Sequence, residues 1–224
     1  MTLTLFFSPY CPPARSVLLV ATALNLKLHL KEVDVLSKSY IKSDFKKEHP
    51  NKTIPTLKDG ETYVWDSHAV SEYLVNKFGR KSDLRPESVS HKAHIDRLLH
   101  FDTGHLIPTT YELLVPLLFH RKYVIPDYMK REVKNVYAVL NKELSNSKWL
   151  TGDYVTIADL CCITSITTLN LVVPADQGSK LYLYMKQFDE LPYYRQQNSD
   201  ALYKLADILL ERIISNKYNK MLNN

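Results

Sequence analysis

The strand-forming signal in this chain is concentrated before Gly79, and that asymmetry is the strongest limit on how it can fold. Leu3-Thr4-Leu5-Phe6-Phe7 is a short β-prone run. Pro12-Pro13 follows, and Ala14 to Leu24 reads as a helix with proline at its start, where a missing N–H does no harm. Leu28 to Val35 suggests a second strand, and a helical crossover makes it a parallel partner of the first. Ser39 to Lys47 reads as either a short polar helix or an irregular loop. Asp59-Gly60 sits between two short β-prone runs and predicts a hairpin with both residues at its centre, because such turns demand positive φ. Ser67 to Phe78 carries Ala69, Val70, Tyr73 and Leu74 at helical spacing, with Gly79 where a helix end favours it. The order β-α-β-(α)-β-β-α describes one α/β unit with parallel and antiparallel neighbours.

Beyond residue 79 the pattern changes. Residues 80–89 are polar with one proline and read as a linker. Residues 90–224 read as an all-α domain. Ser90 to Phe119 is a long helical stretch with bends expected at Pro108 and Pro116, and Pro126 to Leu144 is another helix. Thr156-Ile157-Ala158-Asp159 is a variant capping box with Asp in place of Glu or Gln, and Val155 and Leu160 stand at hydrophobic-staple positions. Helices at Lys180 to Phe188 and Ala201 to Ile214 follow, and the polar tail from Asn216 is expected to fray.

Composition removes several function classes. The chain has 224 residues, 45% hydrophobic and 24% charged, enough to bury a real core. Its five glycines are too scattered for a GxGxxG or P-loop phosphate cradle. Basic residues give a net charge of +5 but alternate with acids, so no nucleic-acid stripe forms. Cys11, Cys161 and Cys162 make neither a disulfide framework nor a zinc ribbon and fit a reducing cytosolic setting. Cys161 and Cys162, inside an apolar run, read as core. No apolar run reaches membrane-helix length, and MTLTLFFSPYCPP lacks the features of a signal peptide, so it is expected to be mature sequence.

Six motifs occur in order along nearly the whole chain. They are Cys11-Pro12-Pro13-Ala14-Arg15-Ser16, Thr53-Ile54-Pro55-Thr56-Leu57, Asp66-Ser67-His68-Ala69-Val70, His100-Phe101-Asp102-Thr103-Gly104, Thr156-Ile157-Ala158-Asp159 and Leu191-Pro192-Tyr193-Tyr194. Together the sequence resembles the cytosolic glutathione transferases, closest to the insect epsilon class of the delta/epsilon group. The resemblance implies a thioredoxin-like α/β N-terminal domain over residues 1–79 and a helical C-terminal domain lining a hydrophobic pocket. It also implies a cytoplasmic homodimer that conjugates reduced glutathione to hydrophobic electrophiles such as insecticides or lipid-peroxidation products, with glutathione as co-substrate, no metal, no nucleic acid and no membrane.

The same resemblance assigns the tripeptide's contacts. Ile54-Pro55 is expected to be cis, with Thr53 and the Ile54 backbone beside the cysteinyl part like an added strand. On residues alone, an ordinary trans proline at a strand start is favoured, since only about 5–6% of X–Pro bonds in folded proteins are cis, and the resemblance reverses that preference. Asp66 is expected to take the γ-glutamyl amine, and Ser67 a carboxylate at a helix start; either also reads as a cap of its own helix. Lys52 stands where the group usually has a histidine near the glycine carboxylate, and it also reads as a solvated loop lysine. Tyr40 replaces a second histidine twelve positions earlier. Asp102 resembles an acid that reaches the neighbouring subunit's site in related dimers.

Cys11 departs from the group, whose members place a serine four residues before the motif's arginine to stabilise the glutathione thiolate. Phe6 closes the route through a first-strand tyrosine. Three readings stay open. Cys11 donates a weak S–H bond while the helix dipole acts; Cys11 is itself a low-pKa thiolate doing thiol-transferase chemistry; or Ser8 or Tyr10 supplies the hydroxyl. A buried, inert cysteine is the structural alternative. For the second substrate, matching positions give Ile107, Thr110, Tyr111, Leu114, Leu118, Phe119 and Leu205, beside Ile54, although such residues also face inward in any helix bundle. Tyr111 replaces a common arginine, and Glu112 reads as solvated. His91, His94, His100 and His105 lack a completing ligand set for a metal. Rival functions are a thiol oxidoreductase using Cys11, a specialised member acting on steroid-like ligands, and a non-catalytic carrier.

Overall fold

Apolar side chains cover both faces of the first strand, so it has to lie inside a sheet. The computed structural model describes residues 2–37, 53–79, 82–120 and 124–222, with side chains described as far as residue 215. Strand β1 (Leu3–Phe7) is central in the order β2-β1-β3-β4. Its parallel neighbour β2 (His29–Glu32) sets Thr4 opposite His29 and Phe7 opposite Glu32. β2 is exposed at every position, and its histidine, lysine and glutamate suit an edge that discourages further pairing. β3 (Thr56–Asp59) runs antiparallel to β1 with Leu57 opposite Leu5, and β4 (Thr62–Trp65) closes the sheet.

The hairpin forms one residue later than expected. Asp59 pairs with Thr62 inside the ladder, and Gly60 and Glu61 make the turn. Only Gly60, at φ 60°, takes the positive value, as a turn with glycine at its first central position requires. Asp59 is thereby freed for another role. Its Oδ2 accepts from the Tyr73 hydroxyl at 2.8 Å and from the Lys77 ammonium. Lys77 first, and then Tyr73, hold the Asp59 carboxyl below its usual range. The unfolded chain therefore binds the proton more readily. This contribution is present above the unfolded value of about 3.9 and is lost as pH falls through the lower folded value. Asp59→Asn is expected to flatten that part of the acid dependence in urea unfolding; parallel curves for the two proteins would exclude the coupling.

Helix α1 (Pro12–Ala23) crosses between β1 and β2 and packs on α2 (Ser67–Phe78) and on the helix Ile157–Val172 of the second half. The expected single helix from Ser90 to Phe119 is interrupted. α3 (Val89–Phe101) gives way to a wider π-type stretch, Asp102–Leu106, and then to α4 (Ile107–Phe119). Pro108 explains the break, because it has no N–H and its ring crowds the carbonyl four residues earlier, at Gly104. Pro116 lies within α4. α5 (Asp127–Glu143), α6 (Ile157–Val172), α7 (Lys180–Gln187) and α8 (Asp200–Leu222) follow. The tail expected to fray is helical through Leu222.

Helix α6 is buried at every position from Ile157 to Leu169, Cys161 and Cys162 included. Thr156 and Asp159 form the reciprocal capping box at its start. One apolar cluster runs from Leu5 and Leu57 through α1 to Leu169, Phe188 and Tyr194. The segment before α3 is pinned to it, since the Leu84 carbonyl accepts from Ile157 N–H and Arg85 pairs with Glu72 and Asp96. Among the described residues, no helix is long and apolar enough to cross a membrane.

Candidate active site

Four residues, Ser8-Pro9-Tyr10-Cys11, connect β1 to α1, and they are tightly tied. The Ser8 carbonyl accepts from Cys11 N–H, and the Cys11 carbonyl accepts from the N–H groups of Ala14 and Arg15. Cys11 is the N-cap, yet its side chain makes no capping bond. Sulfur is a poor acceptor for that task, and here the thiol turns instead toward α4, where Sγ lies 3.6 Å from the Tyr111 hydroxyl. Cys11 is 6% exposed. Burial pushes its thiol above the ordinary range, outweighing the pull of the Tyr111 hydroxyl and the Arg15 charge, so it is protonated at neutral pH. The Ser8 hydroxyl is sealed in at 1% exposure with no partner among the described residues.

Arg15, fully buried one turn into α1, fixes this corner. Its Nη1 donates to the Pro9 carbonyl at 2.9 Å and its Nε to Asn198 Oδ1 at 2.7 Å. Nη2 donates to Thr168 Oγ1 and to the Thr164 carbonyl on α6. Burial pulls the guanidinium down to about 10, still charged at neutral pH. Among the described residues, no carboxylate neutralises it.

The Ile54–Pro55 bond is cis. Pro55 is buried, Ile54 is half-buried and Thr53 is exposed just ahead of β3. Among the described residues, no hydrogen bond engages the Ile54 backbone. Asp66 has the uncommon φ of 71° for a side-chain-bearing residue, and its Oδ1 accepts from His68 N–H at 2.9 Å and Ala69 N–H at 3.2 Å. Asp66 therefore caps α2 while its exposed carboxylate keeps a second oxygen. Ser67 is buried beside it at the helix start. Asp102 engages α2 through one carboxylate oxygen, and its Oδ1 has no partner among the described residues. It is 2% exposed, with Oδ2 2.8 Å from His68 Nε2, while His68 Nδ1 meets Thr103 Oγ1 at 2.9 Å. Burial raises the Asp102 carboxyl against the pull of His68. Tyr40 and Lys52 lie outside the described residues.

The apolar candidates come from α4 and α8. Leu114 and Leu118 join Leu117, Leu205 and Leu209 in a second, smaller cluster, with Tyr10 and Leu36 of the α/β half packed on it. Ile107 is half-buried, Tyr111 and Phe119 are exposed, and the buried Thr110 hydroxyl donates to the Leu106 carbonyl. Glu112 faces solvent. The histidines are scattered among separate partners. His91 meets Tyr154, His94 meets Glu143, His105 stacks against Phe101, and His100 lies exposed. Among the described residues, no three metal-ligating side chains converge. The Cys11–Tyr111 contact and the Arg15 anchor were not legible in local spacing, since each joins segments about a hundred positions apart or more.

A cis-proline ahead of a hairpin in a mixed four-stranded sheet, joined to a bundle of helices, is a thioredoxin-like α/β domain with an all-α partner. The family model for the glutathione S-transferase N-terminal domain matches residues 5–82, and that for its C-terminal domain matches residues 106–192. Glutathione S-transferase 1 of Manduca sexta is 33% identical over 217 residues, covering 95% of this chain and all of that protein. An epsilon-class glutathione S-transferase from the housefly, Musca domestica, superposes with a TM-score of 0.89 at 31% identity, covering 94% of this chain and 98% of its own. A Drosophila mojavensis homologue solved with bound glutathione gives 0.85 at 29% identity, covering 94% and 97%. The chain belongs to the glutathione S-transferase family.

Proposed function

We propose that this chain conjugates reduced glutathione to hydrophobic electrophiles, of xenobiotic or lipid-peroxidation type, at the junction of α1 and α4. The observation that carries this reading is the 3.6 Å approach of Cys11 to Tyr111, which sets the positive end of α1 against the apolar wall of α4. Cytoplasmic homodimers are part of the proposal on the resemblance to insect epsilon-class enzymes.

In this reading the tripeptide lies across the α/β half. The Ile54 backbone pairs with its cysteinyl portion, and Thr53 stands beside it. The uncommitted oxygen of Asp66 accepts the γ-glutamyl amine. Ser67 and the start of α2 hold the adjoining carboxylate. Asp102 acts behind them by fixing His68. On the resemblance, Lys52 serves the glycine carboxylate and Tyr40 donates a hydrogen bond to the tripeptide. The sulfur then sits at the start of α1, where fixed donors stabilise S⁻ below its free value of about 8.5. Tyr10, Ile107 and Phe119, backed by the buried Leu114, Leu118 and Leu205, offer the electrophile an apolar surface, and holding both reactants together removes much of the entropic barrier.

The protonated state of Cys11 argues against a resident thiolate, and a second anion beside the glutathione sulfur would repel it. Protein incubated with oxidised glutathione is therefore expected to show no adduct on Cys11 by mass spectrometry. The principal test is turnover of an aryl halide. Wild type is expected to be active, Cys11→Ser to be at least as active, and Cys11→Ala to lose about three- to tenfold, the value of one neutral hydrogen bond. An inactive wild type restored by Cys11→Ser would make the chain a ligand carrier instead.

A further inference from the structure

Resting on the glutathione-transfer reading, we propose that the Tyr111 hydroxyl, rather than Cys11, is the catalytic hydrogen-bond donor to the glutathione sulfur. Cys11 then acts as a positioning residue that orients that hydroxyl.

The Cys11 thiol and the Tyr111 hydroxyl lie 3.6 Å apart and have one proton each. Either Tyr111 donates to Cys11 Sγ and leaves the thiol proton for the substrate, or Cys11 donates to Tyr111 Oη and leaves the phenolic proton. A thiol is a weak donor, while a phenol is a strong one. A thiolate in the site therefore favours the second arrangement, and an S–H bond into Oη polarises the O–H further. Although the residue as a whole is exposed, its hydroxyl end is turned in against Cys11, and desolvation there, followed by Cys11 itself, raises the phenol above its ordinary range, so it keeps its proton and remains a donor.

Access supports the same assignment. Tyr111 is 41% exposed, and among the described residues its hydroxyl bonds to nothing but Cys11. The other hydroxyls nearby are committed or sealed. Ser16 donates to the Pro13 carbonyl, Thr110 donates to the Leu106 carbonyl, and Ser8 is buried. Tyr10, half-buried on the second apolar cluster, is the one competing hydroxyl on that loop. Arg15, charged and without a carboxylate partner among the described residues, adds a favourable field at the same corner. In the reaction, glutathione loses its thiol proton to water and its sulfur forms the new bond to the electrophile. The leaving group departs with the electron pair of the broken bond, and Tyr111 keeps its proton throughout.

The test compares wild type with Tyr111→Phe, which removes one oxygen, and with Tyr10→Phe. Calorimetry measures glutathione affinity, and ultraviolet absorbance of the bound thiolate is titrated against pH. Tyr111→Phe is expected to bind glutathione within about twofold of wild type, because one bond to sulfur is a small part of the tripeptide's contacts. Its bound thiol is expected to titrate about one unit higher, and kcat/KM for an aryl halide below that pKa to fall about tenfold. Tyr10→Phe is expected to match wild type in the thiolate titration. An unshifted thiolate titration in Tyr111→Phe, or the shift appearing in Tyr10→Phe instead, overturns the assignment while leaving the transferase reading intact. No heat of glutathione binding by folded wild type overturns both.

Discussion

Arg15→Ala is expected to destabilise the protein by about 4 kcal/mol and to lower its melting temperature by roughly 8–16 °C. The side chain is fully buried and serves four acceptors at once: the Pro9 and Thr164 carbonyls, Asn198 Oδ1 and Thr168 Oγ1. Alanine strands Asn198 Oδ1 away from water, takes a donor from the other three and leaves a void the size of a guanidinium; the Thr164 carbonyl keeps the Thr168 hydroxyl. Asn198 suffers twice, because its amide also donates to Thr167 and to the Tyr194 hydroxyl, and that arrangement depends on its oxygen facing Arg15. Arg15→Lys is expected to recover less than half the loss, since a lysine offers three donors from one point and not a planar fork. The bond to Pro9 ties stability to function. Pro9 lies two residues before Cys11, so a loosened loop is expected to raise KM for glutathione more than it lowers kcat. Differential scanning calorimetry with steady-state kinetics reads both. A variant with wild-type melting temperature would show that the network carries no net stability.

Asp159→Ala is expected to cost about 3–5 kcal/mol. The carboxylate is buried and fully engaged. Oδ1 accepts from Leu150 N–H at 2.8 Å and the Tyr184 hydroxyl, and Oδ2 accepts from Thr156 N–H at 2.9 Å and the Thr156 hydroxyl. Removing it orphans two buried amide protons and a phenol, and the first turn of α6 loses half of its capping box. Burial nonetheless raises the Asp159 carboxyl to about 6, in opposition to those donors. The folded state therefore holds its proton more tightly than the unfolded chain. The associated stability is full below the unfolded value of about 3.9 and declines as pH rises through about 6. Asp159→Asn keeps the shape and acceptor but abolishes this titration. It is expected to be milder than Asp159→Ala and to flatten the stability profile between those values. Denaturant unfolding at several pH values checks both effects, and equal losses for Asn and Ala would rule out a role for the remaining acceptor.

Much of the architecture was legible because its signals are local. Pro12 and Gly79 bracket elements, strand and helix periods differ, and Thr156 with Asp159 announces a helix within four residues. Pattern and structure part where packing moves a boundary. The turn sits one position later than the Asp59-Gly60 signal suggests, with Asp59 in the ladder and bonded to Tyr73 and Lys77 of α2. The long helix broke into a π-type stretch ahead of Pro108, and α8 continued through the polar tail. For the site, the sequence order of motifs pointed to Cys11, Ile54, Pro55, Asp66 and Ser67. It had no means to show that Cys11 is buried, that Tyr111 reaches it, or that Asp102 is committed to His68. Those facts depend on side chains brought together from distant segments, and short-range patterns do not encode them.

Helix α6 has no solvent face along Ile157–Leu169, and its neighbours include α1 from one half of the chain and α3 and α4 from the other. Neither half can therefore melt privately, because the loss of one leaves the shared rod wetted along its length. Glutathione is gripped mainly by the first half in the proposed reading, so its binding energy should be felt as added protection across the helical half as well. Occupancy of the tripeptide's site would thus lengthen the lifetime of the whole polypeptide.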